Sequence, residues 1–262
     1  EVHPVMMIRY VPADPAGNLT AIVLSPVAPR DRAAIAAEMM ARCPEGFEQV
    51  GFADEASLTG ECPILCMMGG EFCGNATRAF ACYAAKVRGL GETRLAVAVS
   101  GASEPVPVAI DLRRNRAYAQ MPLPYALDPI AADGQVLPLV RMEGIDHALL
   151  LNAKPSPEAA ERVLAAMPKQ DARGVLFVRD GKMTPLVEVA ATGTRVWESS
   201  CGSGTVALAW YLARGLADGM HAFAFDEPGG RLEARVAMRA GRAARIEMGG
   251  AVKLGEERKI EL

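Results

Sequence analysis

Histidine and aromatic residues are scarce in this chain: His3, His147 and His221 are the only histidines among 262 residues, and Phe, Tyr and Trp together make up 5%. Cys62-x3-Cys66 is a close cysteine pair, but no second pair or histidine doublet accompanies it, so no structural metal is expected. Charge of one sign is also missing. With 28 basic and 31 acidic residues and a formal charge of -3, nothing suggests a nucleic acid partner. Arg113, Arg114 and Arg116 read as the polar turn of a hairpin. No run of eighteen apolar residues occurs, and Glu1 to Met7 lacks a basic segment followed by an apolar stretch of signal length. The expectation is a cytoplasmic protein with no membrane partner, Glu1 in place of Met reflecting processing or trimming. Gly69 and Gly70 lead to Cys73 rather than into a dinucleotide-binding Gly-x-Gly-x-x-Gly turn. Lys86, Lys154 and Lys169 stand in helix ends or linkers without a glycine-rich phosphate loop, which speaks against pyridoxal phosphate.

What is present is a repeat. Cys73-Gly-Asn-Ala-Thr-Arg-Ala-Phe-Ala-Cys-Tyr83 matches Cys201-Gly-Ser-Gly-Thr-Val-Ala-Leu-Ala-Trp-Tyr211 at six of eleven positions, 128 residues further on. A match at half the chain length predicts two related halves facing each other, with limits at 1–122 and 123–262 and the terminal strand free to return to the first half. Each segment reads as a helix that opens just after Cys-Gly, running to Gly89 in the first half and to Gly215 or Gly219 in the second. The unpaired amides of a helix start attract an anion and favour a thiolate.

Strands are expected near Met6–Val11, Thr20–Val27, Glu48–Phe52, Glu61–Met67, Arg94–Ser100, Pro105–Asp111 and Asn115–Met121, with a helix over Arg30–Ala41. In the second half strands are expected near His147–Asn152, Gly174–Val178, Pro185–Ala191 and Arg195–Glu198, with helices over Ser156–Met167 and Gly204–Leu216. The stretch from His221 to Leu262 alternates as antiparallel strands do, and Pro122, Pro124 and Pro129 mark 122–137 as the crossover between halves.

Cys43, Cys62, Cys66 and Cys82 are read as packing residues. Cys73 and Cys201 differ, because both precede glycine at equivalent places in the repeat. Two opposed thiols, one entering as thiolate and the other as thiol, satisfy the need of an inversion at Cα for a base on one face and an acid on the other, without cofactor.

Taken with Pro15-Ala16-Gly17-Asn18 and Gly70-Glu71-Phe72-Cys73-Gly74-Asn75-Ala76-Thr77-Arg78, these segments resemble the diaminopimelate epimerase-like family of cofactor-independent racemases and epimerases. The resemblance implies an α+β fold of two pseudo-symmetric domains, mostly antiparallel strands around a central helix in each. It also implies a free amino acid as the small-molecule partner and Cys73 and Cys201 as acid and base. Gly144-Ile145-Asp146-His147 is similar to the family's Gly-Asn-Pro-His run and implies His147 as partner of Cys73; Arg195-Val196-Trp197-Glu198 does the same for Glu198 and Cys201. Asn18, Gly74, Asn75, Gly202, Ser203 and Gly204 are the implied contacts to the common amino acid portion.

The departures concern the substrate's far end. Ile64 and Ile145 stand where the family has asparagines, and Ser199 where it has the arginine that pairs with a second carboxylate. An intact epimerisation core with a rebuilt distal pocket resembles the histidine racemase branch. Diaminopimelate epimerisation, double-bond isomerisation of a small unsaturated acid and a non-catalytic binding role stay open as alternatives. Twofold assemblies are the commonest homo-oligomers, which makes a homodimer the default expectation.

Overall fold

The computed structural model describes residues 6–190 and 193–262. The chain divides into two compact units, one formed by residues up to 119 together with 249–262, the other by 120–248.

In the first unit β1 (Met7–Asp14) pairs antiparallel with β2 (Thr20–Val23), and α1 (Arg32–Arg42) carries the chain to β3 (Gln49–Ala53), parallel to β2. Next, β4 (Ile64–Met67) turns back antiparallel, and α2 (Gly74–Val87) leads to β5 (Glu92–Val99), parallel to β4. Antiparallel β6 (Val106–Asp111) and β7 (Arg116–Gln120) follow. Both parallel pairs are thus joined by a helix, as a crossover requires. Alanines at 76, 79, 81, 84 and 85 let α2 settle closely against the sheet, and Ala76, Ala79, Phe80 and Ala84 are wholly buried with Ile22, Leu65, Val97 and Val108. Burying Phe80 alone favours the fold by about 2–3 kcal/mol.

The second unit begins with the hairpin β8 (Ala126–Ala132) and β9 (Gln135–Arg141), followed by antiparallel β10 (Ile145–Leu151). Helix α3 (Pro157–Ala166), capped by Ser156, leads to β11 (Ala172–Arg179), parallel to β10, and β12 (Lys182–Val189) returns antiparallel. After β13 (Thr194–Trp197), antiparallel to β12, α4 (Gly202–Ala213) leads to β14 (Gly219–Glu227), which meets β12 in parallel at Lys182, and to antiparallel β15 (Gly230–Arg239). Strand, helix, parallel strand, return strand, helix, parallel strand: the series of the first unit recurs, with β13 added. The sequence repeat is therefore a repeat of topology.

Through β16 (Arg242–Ala251) the chain passes back to the first unit, where β17 (Lys253–Leu254) and β18 (Arg258–Glu261) pair with β1.

Two expectations need correction. Residues 122–137 are no bare crossover: most lie in β8 and the start of β9, where Pro129 stands opposite Pro138. A proline lacks the amide that a ladder needs on both sides, and β8 meets only β9 among the described pairings. The strand expected to reach Val27 stops at Val23, ahead of Pro26. Ala191, assigned to a strand end by sequence, lies outside the described residues. No described helix is long and apolar enough to cross a membrane.

Candidate active site

The two repeated cysteines occupy the same local geometry. Cys73 caps α2 with extended backbone (φ -129°, ψ 111°), and its Sγ accepts the amide of Ala76 at 3.4 Å. Cys201 caps α4 (φ -119°, ψ 106°), and its Sγ accepts the amide of Gly204 at 3.4 Å. The carbonyl of each accepts the first helical hydrogen bond at 2.9 Å, from Thr77 and Thr205 respectively. A thiol in place of the usual serine or aspartate cap points a polarisable, ionisable sulfur at the positive end of a helix.

Around Cys73 the first unit assembles a polar shell. Gln49 on β3 is buried; its amide nitrogen donates to Asn18 Oδ1 at 2.6 Å and Thr20 Oγ1 at 2.8 Å, and its side chain favours the ionised form of Cys73. The parallel register of β2 and β3 sets Gln49 beside Thr20. Asn18 donates in turn to Glu48 Oε2 at 2.8 Å. Buried Asn75 accepts two bonds from Arg78, each 3.2 Å. Gly74 is the first residue of α2 and is buried. Cys73 is half-buried, and burial is still the largest influence on its thiol, pushing the pKa up against the lowering by Ala76, Gln49 and Asn75; Glu71 adds a small rise.

In the second unit His147 on β10 is fully buried, and its Nε2 lies 2.9 Å from Ser203 Oγ, which lies 3.5 Å from Cys201 Sγ. Burial alone pushes His147 down to about 3, so the ring is neutral. Its Nδ1 is buried without a partner. The tautomer with hydrogen on Nε2 leaves only a bare lone pair there rather than a stranded N–H, and directs hydrogens from imidazole to Ser203 and from Ser203 to sulfur. Gly174, parallel to His147 across β10 and β11, makes room for the ring: a Cβ there would stand 2.5 Å from Cε1 and closer still to Nδ1.

Carboxylates surround Cys201. Glu198, half-buried after β13, receives a hydrogen bond from the thiol, and buried Glu227 at the end of β14 accepts the Cys201 amide at 2.6 Å and the Thr205 hydroxyl at 2.7 Å. Burial first, then the charges of Glu198 and Glu227, raise the Cys201 thiol well above its ordinary value, against a lowering by Ser203. Gly204 passes close to Leu176 and the Cys201 sulfur, where a Cβ would stand 2.9 Å and 3.2 Å away. Gly202 opens α4 just after the thiol.

Of the sequence candidates, Asn18, Gly74 and Asn75 gather at Cys73, whereas His147, Glu198, Gly202, Ser203 and Gly204 gather at Cys201. The hydrogen bond that His147 makes runs to Ser203, within its own unit. Ile145 lies two residues before His147 on the same face of β10. Ser199 accepts the Gly229 amide at 2.7 Å through its carbonyl. Ile64 opens β4 and lines a groove of about 260 Å³ with Cys66, Ser100 and Pro105, whose lining does not include Cys73. Cys43 and Cys82 are buried as packing residues, while Cys62 and Cys66 are half-buried. Gln49, Arg78, Thr205 and Glu227 had not been singled out. Thr205 was visible as an identity of the repeat, and Arg78 as a cation in an apolar helix; Gln49 and Glu227 reach their cysteines only through the fold.

Known proteins resemble the chain over most of its length. Residues 7–260 match the family described as the histidine racemase CntK N-terminal domain. A histidine racemase of Fusobacterium nucleatum is 32% identical over 226 residues, covering 80% of this chain and 83% of that protein. Another, from Staphylococcus aureus, is 27% identical over 241 residues, covering 86% and 87%. Among solved structures, a Pseudomonas aeruginosa protein described as a predicted epimerase superposes with TM-score 0.68 at 19% identity, over 97% of this chain and 99% of that one. A probable proline racemase of Agrobacterium radiobacter does so with TM-score 0.66 at 15% identity, over 97% and 92%. These structures share the α+β fold, while the family match and the sequence relatives place the chain: it belongs to the histidine racemase CntK family, and it is a racemase/epimerase of the class independent of pyridoxal phosphate.

Proposed function

We propose that the protein racemises histidine, with Cys73 and Cys201 as the acid and base and with neither metal nor cofactor. The observation that carries the mechanism is the duplicated cap: two thiols at equivalent helix starts, each accepting the amide three residues on at 3.4 Å. One cysteine, as thiolate, takes the proton from Cα, and the thiol of the other delivers its proton to the opposite face. The substrate leaves inverted and the thiol and thiolate have exchanged places, so the two directions of turnover use the pair in opposite senses.

The α-carboxylate must accept charge as the Cα–H bond breaks. Amides at the starts of α2 and α4 are suited to hold it, fixed by their helices before substrate arrives. Asn18 and Asn75 are placed as polar contacts, each held in orientation by a neighbour, Gln49 in one case and Arg78 in the other. Histidine as substrate rests on the names of the sequence relatives and on apolar Ile64 and Ile145 in place of groups for a second amino acid head.

Proton NMR in D2O tests this directly. L-histidine incubated with enzyme and no added cofactor should lose its α-hydrogen signal while D-histidine accumulates by chiral chromatography. Cys73→Ser and Cys201→Ser should each lower turnover by at least about 10³-fold. Exchange with lysine, arginine or diaminopimelate but not histidine would overturn the substrate; full activity in either serine variant would overturn the two-thiol mechanism.

A further inference from the structure

The two cysteines share a backbone geometry but not a charge environment. Five residues into α2 stands Arg78, fully buried, whose counterpart in α4 is Val206. Its guanidinium donates to the Ala251 carbonyl at 2.8 Å, the Pro15 carbonyl at 2.7 Å and Asn75 Oδ1 at 3.2 Å; none of these acceptors is a carboxylate. The positive charge is therefore held by neutral dipoles. Burial drives Arg78 down to about 10, still well above neutral pH, so it remains charged. Beside Cys201 the charged groups have the opposite sign: buried Glu227, bonded to the Cys201 amide and to Thr205, and half-buried Glu198, which acts on the thiol itself.

This difference matters because a two-thiol racemase must rest with its protons unevenly distributed. Resting on the two-cysteine reading above, we infer that Arg78 and Glu227 are positioning residues that fix which thiol ionises first, assigning the first proton lost to Cys73 and keeping Cys201 as the thiol. The groups acting on Cys73 within its unit are the amides of Ala76 and Asn75 and the side chain of Gln49, which favour the thiolate, and Glu71 in the preceding loop, which opposes it; Arg78, on the same helix, is acted on in turn by Cys82, Cys73, Asp14 and Tyr118. Asp14 is engaged with the Gly17 amide at 2.6 Å. Those acting on Cys201 are Glu198, Glu227 and Ser203, the last carrying neutral His147 behind it.

Burial raises both thiols, but only Cys201 has two carboxylates raising it further. Arg78 acts twice on its side: its fixed positive charge is attracted by an ionised Cys73, and it orients Asn75 by a two-pronged grip on Oδ1. Ionisation at Cys73 would neutralise a buried cation that has no other anion bonded to it; ionisation at Cys201 would add a third negative charge beside two carboxylates. The resting enzyme is accordingly prepared for the enantiomer whose Cα–H faces Cys73. The opposite enantiomer is taken up only after the proton is redistributed.

The experiment is alkylation of substrate-free enzyme by iodoacetamide from pH 6 up to the highest pH at which the fold persists, read separately at each cysteine by peptide mass spectrometry. The inflection of rate against pH, rather than the plateau, reports ionisation, so the deeper burial of Cys201 does not confuse it. The Cys73 inflection should lie at least about one pH unit below that of Cys201. Arg78→Met should raise the Cys73 inflection and leave that of Cys201, Arg78→Lys should restore it, and Glu227→Gln should lower the Cys201 inflection alone. Coincident inflections in the unmodified protein, or the lower one at Cys201, would overturn the assignment even if no variant folded. The serine variants decide the two-thiol mechanism independently: if both are inactive and the inflections coincide, the mechanism stands and only the asymmetry fails.

Discussion

Replacing Gly174 by alanine should disable the site through His147 without touching a cysteine. The added Cβ would lie 2.5 Å from Cε1 and 3.2 Å from Cγ of the imidazole, where ordinary contact begins at 3.4 Å. Relief requires the ring to recede by about 1 Å. The ring is fully buried, and its one hydrogen bond, to Ser203 at 2.9 Å, would be stretched beyond the reach of a hydrogen bond. Overpacking of this kind costs about 1–3 kcal/mol of stability, and loss of a group oriented beside the reacting sulfur about 10²-fold in kcat. The assay is chiral chromatography of histidine turnover alongside denaturant unfolding, for Gly174→Ala, His147→Ala and the pair. Removing the ring gives the new methyl its space, so the pair should be more stable than the sum of the two single effects predicts, with a kcat no lower than that of His147→Ala. A folded Gly174→Ala protein with unchanged kcat would refute any part for the His147–Ser203 contact.

Two further outcomes follow from the same geometry. Because the folded state holds His147 near 3 whereas an unfolded histidine titrates near 6.5, the unfolded chain takes up a proton that the native one refuses, and stability falls as pH drops below about 6.5. At pH 5 the loss from this group is about 2 kcal/mol, measured as a drop in urea midpoint between pH 7.5 and 5 that is reduced in His147→Gln. Gln49→Leu removes the donor that holds Asn18 Oδ1 and leaves buried Thr20 short of a partner, so KM should rise several-fold with a stability loss of about 1–2 kcal/mol; an unchanged KM would show that Asn18 needs no orienting.

What could be read from sequence was the chemistry that repeats locally. A cap, the glycine after it and the threonine that closes the first turn all fall within five residues, so Cys73 and Cys201 declared themselves through one short pattern used twice. Asn18, Ser203 and Glu198 were reached by resemblance, and each lies in the shell of the cysteine in its own unit. Glu227 could not be seen, since it stands 26 residues beyond Cys201 and arrives by the parallel return of β14. Gln49 likewise depends on strand register. The prolines between 122 and 138 misled for a different reason: they prevent a central strand but not a hairpin whose prolines oppose one another, as Pro129 and Pro138 do.

The return of β17 and β18 to β1 also sets a timetable for synthesis. Residues 120–248 are contiguous, so every strand pairing confined to them is available once Met248 has left the ribosome. The first unit has no such freedom, because Met7–Tyr10 pair with Arg258–Glu261, and Arg9 meets Glu257 at 2.7 Å. The edge of β1 that awaits β18 stays open while the intervening residues emerge, at roughly 5–20 residues per second. Throughout that interval it is an unpaired strand template, and truncation of the last five residues would make the exposure permanent.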